Sequence, residues 1–336
     1  MHIALAHDDL VQWGGAERVL EGLTEIYPDA PIFTSVYDSS NKELSRRFGS
    51  KKIFTSFLQN IPGWNSLYKI LLPLYPIAFE QFDFTDFDLV ISNTTRFAKS
   101  IITKPKTLHI CYCHTPPRFL WHFSGEGNYG IWEVLMSKLR IYDQVSARRV
   151  DHFIAGSENA KKRIKKVYGV DSKVVYPFID LERFKNVDTF DGNYFVVMGR
   201  PNKYKRFDLA REACEKLGVE LKIILGNLDD ETVVKILAGC RALIIPGIED
   251  FGIASLEAQA LGKPVIAFKE GGSLETVTEG KSGIFFSKQT VDSLVDALKR
   301  FNDLNHFQSN VIRENVKKFS KVNFIKNFKQ TVVSLR

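Results

Sequence analysis

Ala242-Leu-Ile-Ile-Pro-Gly-Ile-Glu-Asp-Phe-Gly-Ile-Ala-Ser-Leu-Glu-Ala-Gln-Ala260 changes character twice along its length. The run Ala242 to Ile245 reads as a buried strand, the stretch from Pro246 through the acids Glu249 and Asp250 as a loop, and the residues after the Phe251-Gly252 step as a helix. One carboxylate, Glu249, therefore sits on the loop and a second, Glu257, on the helix, eight residues later. The amides of Phe251, Gly252, Ile253 and Ala254 at the helix start have no partner within the helix, and they suit phosphate oxygens or sugar hydroxyls. Two acids and the open amides of a helix start describe a site for a molecule carrying both phosphate and many hydroxyls, such as a nucleotide sugar. A lone pair of acids at this spacing is more often an ordinary helix face, so the neighbouring stretches decide.

Two of them repeat the same grammar. The apolar run Tyr194 to Val197 leads into Met198-Gly-Arg-Pro-Asn-Lys-Tyr-Lys-Arg-Phe-Asp208, which places Arg200 and Lys205 after the C-terminal end of a strand. In open α/β sheets that end faces the ligand crevice. Two cations there can neutralise a diphosphate both when bound and when leaving. The strand Pro264 to Phe268 leads into Glu270-Gly271-Gly272-Ser-Leu-Glu275, where the two glycines allow the backbone to approach a ligand closely.

Taken in order, G-R-x4-K-R-F-D-L from Gly199, E-D-F-G-I-x3-E-A from Glu249, G-K-P-V-I-A from Gly262 and G-G-S-L-E-T-V from Gly271 resemble the family 4 retaining glycosyltransferases of the GT-B fold. The resemblance is closest to a bacterial branch rich in mannosyltransferases of surface polysaccharide synthesis. It extends to the N-terminal half through Trp13-Gly-Gly-Ala-Glu-Arg18, Glu80-Gln-Phe-Asp83 and Tyr112-Cys-His-Thr-Pro-Pro-Arg-Phe-Leu-Trp121. It implies two Rossmann-like parallel-sheet domains with a cleft between them. Domain 1–183 lies on the acceptor side, domain 184–318 binds the nucleotide sugar, and a helix in 319–336 packs back on the first domain.

Alternating strands and helices support that α/β reading independently. The first sheet is predicted to use Ile3 to Ala6, Ile32 to Val36, Leu89 to Ser92, Thr107 to Tyr112 and His152 to Ala155. The second uses Tyr194 to Met198, Leu221 to Leu225, Ala242 to Ile245, Pro264 to Phe268 and Gly283 to Phe286, one strand short of the family pattern. The shortening brings the strand from Leu221 directly to Gly226-Asn-Leu-Asp-Asp230, which resembles the family's base-binding turn, with Leu228 contributing backbone and packing. The final helical stretch puts Phe324, Phe328 and Val332 on one face.

Composition narrows the partners. The 46 basic against 39 acidic residues leave a net charge of +7, which favours anions without separating nucleic acid, lipid and sugar nucleotide. The basic residues are interleaved with acids and no nucleic-acid recognition motif is present, so nucleic acid is not an expected partner. Cys111, Cys113, Cys214 and Cys240 have no zinc or disulfide spacing, in keeping with a reducing cytoplasm. The chain opens directly on a strand, so no leader is expected. The most apolar segment, Ile70 to Phe79, contains Pro73 and Pro76 and falls far short of the roughly 20 residues that span a bilayer. Asp86-Phe-Asp88 imitates the metal-binding motif of another transferase fold, but it leads into a strand, and neither a metal nor a bound cofactor is expected. The absence of G-x-G-x-x-G after the first strand argues against a dinucleotide oxidoreductase.

In the resembled family, Arg200 and Lys205 hold the diphosphate, Glu257 the ribose hydroxyls and Glu249 the sugar hydroxyls or the developing oxocarbenium charge. His114 reaches the donor sugar, and Gly14 and Gly15 let the backbone approach the donor phosphate or the acceptor. The reaction so implied moves a hexose, with mannose from GDP-mannose as the leading donor and a UDP-sugar as the alternative, to a lipid-linked oligosaccharide with retention of configuration. A GT-B-like epimerase or hydrolase would use the same nucleotide site. Peripheral binding to the inner face of the cell membrane is expected through the basic run Lys161 to Lys166, together with Trp64, Leu67, Tyr68, Leu71, Leu72 and Tyr75.

Overall fold

A computed structural model describes residues 1–67, 70–123, 129–226, 228–304 and 307–336; Tyr68, Asn227 and His306 therefore lie outside the described residues. The chain divides into two compact units, one formed by Met1–Pro177 with Phe324–Arg336, the other by Phe178–Asn323. Each is built on a wholly parallel sheet with the short apolar strands such sheets require, since both faces are covered.

In the first unit the strands are β1 (Ile3–His7), β2 (Ile32–Thr34), β3 (Ile53–Thr55), β4 (Leu89–Thr94), β5 (Leu108–Cys113), β6 (His152–Ala155) and β7 (Ser172–Val174), in the order β3-β2-β1-β4-β5-β6-β7. Two edge strands, β3 and β7, were not anticipated. Each is three residues long and half in solvent, so neither carries an apolar run. Register places His7 opposite Asn93 and Asn93 opposite Tyr112, which gathers polar side chains at the C-terminal ends of the central strands. Below them Phe33, Tyr75, Phe79, Phe84 and Phe97 fill the core. The Lys321–Val333 helix buries Phe324, Phe328 and Val332, and both phenylalanines lie 6.2 Å from the ring of Tyr112.

The second unit carries β8 (Tyr194–Met198), β9 (Glu220–Ile224), β10 (Leu243–Ile245), β11 (Val265–Phe268) and β12 (Gly283–Phe286), ordered β12-β11-β10-β8-β9. The sheet has five strands, at the positions the sequence predicts. Phe195, Val197, Ile244, Ile266 and Phe286 pack with Leu294 and Leu298 of the Val291–Asp303 helix.

Part of the expected membrane segment is core. Tyr75 is fully buried, and Leu71 and Leu72 pack on the cluster beneath it. The basic run does form a helix, Glu158–Tyr168, capped by Ser157 and anchored by Ala160, Ile164 and Val167, with Lys162, Lys165 and Lys166 exposed. Among the described residues no helix is long and apolar enough to cross a membrane.

Candidate functional site

The loops after β8 and β10 meet because glycine lets them. A side chain on Gly247 would lie 2.0 Å from the carbonyl oxygen of Tyr204, so only glycine allows the loop after β10 to pass the Tyr204-Lys205 backbone. Gly199, with φ +138°, leaves room for Lys205 to fold over it, since a Cβ there would sit 3.1 Å from the lysine Cε. The result is a direct ion pair, Lys205 Nζ to Glu249 Oε1 at 2.5 Å, with both side chains largely buried at 13 and 14% exposure. A cavity of about 10 Å³ lies beside the pair, lined by Met198, Phe207, Ile245, Pro246 and Ala254 as well as by Lys205 and Glu249. That volume accommodates at most one water, so a ligand must reach the pair from the solvent side. Arg200 is exposed.

Gly271 and Gly272 secure the acidic loop from its other side. Gly271 pairs with Glu249 in an isolated parallel bridge, and the Gly272 amide donates to the Glu249 carbonyl at 2.8 Å. A Cβ on Gly272 would come within 2.4 Å of the Phe251 backbone, and one on Gly271 within 2.6 Å of the Glu249 carbonyl. The close approach read from these glycines is thus first an approach to the chain itself. The helix begins at Ile253, with Gly252 in the left-handed region at φ +96° as its cap, so Phe251 precedes the helix and turns its ring inward onto Phe319, 5.3 Å away. Ile253 and Ala254 are half-buried in the first turn.

Glu257 occupies a separate setting. It is buried on the second turn of that helix, and Arg183 Nη1 lies 3.3 Å from its Oε1. Arg183 also pairs with Asp230, which opens the helix following the exposed Leu228. One arginine therefore ties Glu257 to the turn expected to hold the base. Sequence reading missed Arg183, which is 74 residues from its partner, in a short turn without a motif.

In the first unit, the ends of β1, β4 and β5 form a buried polar chain. Asp8 accepts from the amides of Thr95, Phe97 and Ala98 and from the hydroxyls of Thr94 and Thr95. Burial alone would raise its pKa, but the Arg96 charge and these donors outweigh burial and hold it below the ordinary aspartate value. Asp9 pairs with Arg96 and lies 3.3 Å from the Tyr75 hydroxyl; its pKa is raised because burial and the Asp8 charge outweigh the arginine. His7 faces Glu17 at 3.6 Å, and although burial pulls its pKa down, Glu17, Asp8 and Asp9 together push it up. Asn93 stands between His7 and His114, with the His114 Nε2 2.8 Å from its side-chain oxygen. Gly14 is extended at φ −164° and caps the Gly15–Ile26 helix. Neither Asn93 nor Glu17 was singled out from sequence as a site residue. Among the described residues no three of His, Cys, Asp and Glu converge in a way that could hold a metal ion.

Comparison with known proteins brings these halves under two family descriptions: "Glycosyltransferase Family 4" matches residues 13–183, more than half of the chain, and "Glycosyl transferases group 1" matches 158–319. The alpha-1,3/1,6-mannosyltransferase ALG2 of Dictyostelium discoideum is 34% identical over 113 residues, covering 33% of this chain and 26% of that protein. Its Schizosaccharomyces pombe counterpart is 24% identical over 363 residues, covering 84% and 70%. Three of the curated relatives are matched over only 24 to 42% of their own length. Among solved structures, Anabaena Alr3699/HepE in complex with UDP aligns with a TM-score of 0.70 at 18% identity, covering 99% of this chain and 100% of that one, a likeness of fold. The two parallel-sheet units have the GT-B architecture.

Proposed function

Because the chain belongs to glycosyltransferase family 4, we propose that it transfers a hexose from a nucleoside diphosphate to a glycan acceptor with retention of configuration and without a metal. The observation that carries this reading is the Lys205–Glu249 pair at the strand ends of the second sheet. An ammonium 2.5 Å from a carboxylate is a cation held in place before the ligand arrives. On binding it serves the diphosphate together with Arg200, while Glu249 accepts from sugar hydroxyls or faces the developing oxocarbenium charge. Such fixed charge is most effective where charge develops in the transition state.

The bond from the anomeric carbon to the phosphate oxygen breaks, its electron pair leaving with the diphosphate. The acceptor oxygen bonds to the same face of that carbon, and its proton passes to the departing phosphate oxygen. Gly14, Gly15, Phe251, Gly252, Ile253, Ala254 and Gly271 supply backbone to the donor, and Gly272, whose amide is bound to the Glu249 carbonyl, holds that loop beside it. Leu228 packs on the base, Glu257 takes the ribose hydroxyls, and His114 serves a sugar hydroxyl.

Mannose from GDP-mannose is the leading donor, supported by relatives named as mannosyltransferases. The UDP named for the Anabaena structure supports a second reading, a UDP-sugar donor. The acceptor is read as a lipid-linked oligosaccharide at the inner face of the cell membrane. Exposed Ile131, Trp132, Val134 and Ile141, at and along the Glu133–Ala147 helix, support contact with that surface, and the far end of the same helix joins the basic helix through Gln144 and the Val167 carbonyl at 3.1 Å. A thermal-shift panel of GDP-, UDP- and other sugar nucleotides, followed by product analysis with and without acceptor on anionic vesicles, tests the whole reading. GDP-mannose should stabilise the protein most and give product only with acceptor. Donor consumption without acceptor would replace transfer by hydrolysis or epimerisation.

A further inference from the structure

Asn93 is fully buried at the end of β4, and its carboxamide touches three other elements of the first unit. Its Nδ2 donates to the Ala16 carbonyl at 2.8 Å, in the first turn after Gly14 and Gly15. The same nitrogen lies 3.1 Å from His7 Nδ1, and its Oδ1 lies 2.8 Å from His114 Nε2. The Ala16 carbonyl can only accept, which settles the orientation of the amide: nitrogen toward Ala16, oxygen toward His114. An amide oxygen can only accept in turn, so the hydrogen in the second contact belongs to His114 Nε2. Strand register holds the arrangement, because Asn93 is paired with His7 on one side and Tyr112 on the other, and the His114 amide donates to the Thr94 carbonyl at 3.0 Å.

We propose that Asn93 is a positioning residue for His114, holding its imidazole in the Nε2–H form and in one orientation. Through Ala16 the same side chain ties the Gly14-Gly15 turn to that histidine. The logic is that of any oriented imidazole, in which the partner of one nitrogen decides what the other can do. The proposal rests on the reading of His114 as a sugar contact.

Two measurements test it. The first needs no variant: nitrogen NMR of the ¹⁵N-histidine-labelled wild-type protein should show His114 protonated at Nε2 and not at Nδ1 near neutral pH. The Nδ1–H form, or a mixture of the two, overturns the proposal. The second is a double-mutant cycle on turnover with the donor identified by the nucleotide panel. Asn93→Ser alone should lower kcat by up to about 10²-fold, the scale of a misplaced catalytic contact, with a smaller change in the donor KM. Added to His114→Ala, it should cost no more than about a further twofold. Full additivity of the two losses, or an undiminished kcat in Asn93→Ser, overturns the positioning role. Loss of structure in Asn93→Ser leaves the NMR measurement to decide. If His114→Ala keeps full turnover, the sugar-contact reading fails, while the tautomer measurement still stands on its own.

Discussion

At the strand ends of the first sheet, Asp8 accepts from Thr94, Thr95, Phe97 and Ala98 and is closed off from solvent. At the strand ends of the second, Lys205 and Glu249 bind only partly out of solvent, with Arg200 exposed nearby in sequence. Both are charged clusters on parallel sheets, yet they serve different purposes. A carboxylate that spends its lone pairs on its own backbone shapes loops and has little left for a ligand. An ion pair with some exposure to solvent keeps its cation fixed in place and can meet an added anion without first being assembled. With the proposed function, the contrast separates charge that builds the fold from charge kept for chemistry, and three kinds of substitution can break or sharpen it.

The largest effect belongs to the closed cluster. Asp8→Asn turns an amide group against backbone donors and leaves Arg96 short of a neighbouring charge, so it should destabilise the protein by about 3 to 5 kcal/mol at neutral pH. Because the Asp8 pKa is lowered on folding, the stability it provides is complete above the ordinary aspartate value and is lost as pH falls through the lowered one. Wild type and variant should therefore converge in acid. Denaturant melts at pH 7 and at successively lower pH below the ordinary aspartate value check both halves, the gap narrowing as pH falls, and equal stability at pH 7 would show that Asp8 does not hold these loops.

Lys205→Ala should act in the opposite way. Its melting should fall less than that of Asp8→Asn, because the Glu249 carboxylate it leaves behind keeps some access to solvent, while the loss in kcat/KM for transfer should correspond to about 2 to 4 kcal/mol of transition-state stabilisation, the scale for one preorganised donor. Steady-state kinetics beside a thermal melt is the check. Unchanged turnover would remove Lys205 from the diphosphate.

Much of this contrast is legible in the sequence, and the illegible part has a common cause. Four of the five strands of the second sheet are apolar runs ending in loops, with β9 (Glu-Leu-Lys-Ile-Ile) the mixed exception, and the spacing of Arg200, Lys205, Glu249 and Gly271 places each after a strand's C-terminal end. What the sequence conceals are partners distant along the chain. Asn93 meets His7 across 86 residues and Arg183 meets Glu257 across 74, and neither lies in a recognisable string. Gly247 was read as part of a loop, although its need for glycine arises from the Tyr204 carbonyl, which only the fold brings near. The edge strands β3 and β7 escaped because three half-exposed residues have no periodicity to read. Trp64 to Tyr75 read as surface because its apolar residues look the same in sequence whether they face lipid or core.

The central claim is that the second unit binds a nucleoside diphosphate with its two glutamates divided between ribose and sugar. Calorimetric titration of free GDP and UDP into Glu249→Ala and Glu257→Ala measures that most directly. Glu257→Ala should lose about 1.5 to 3 kcal/mol of affinity for the preferred nucleotide, the range for hydrogen bonds to a charged group. Glu249→Ala should bind it as wild type does and yet fail to transfer sugar. The same loss of nucleotide affinity in both variants, or none in Glu257→Ala, would contradict the account.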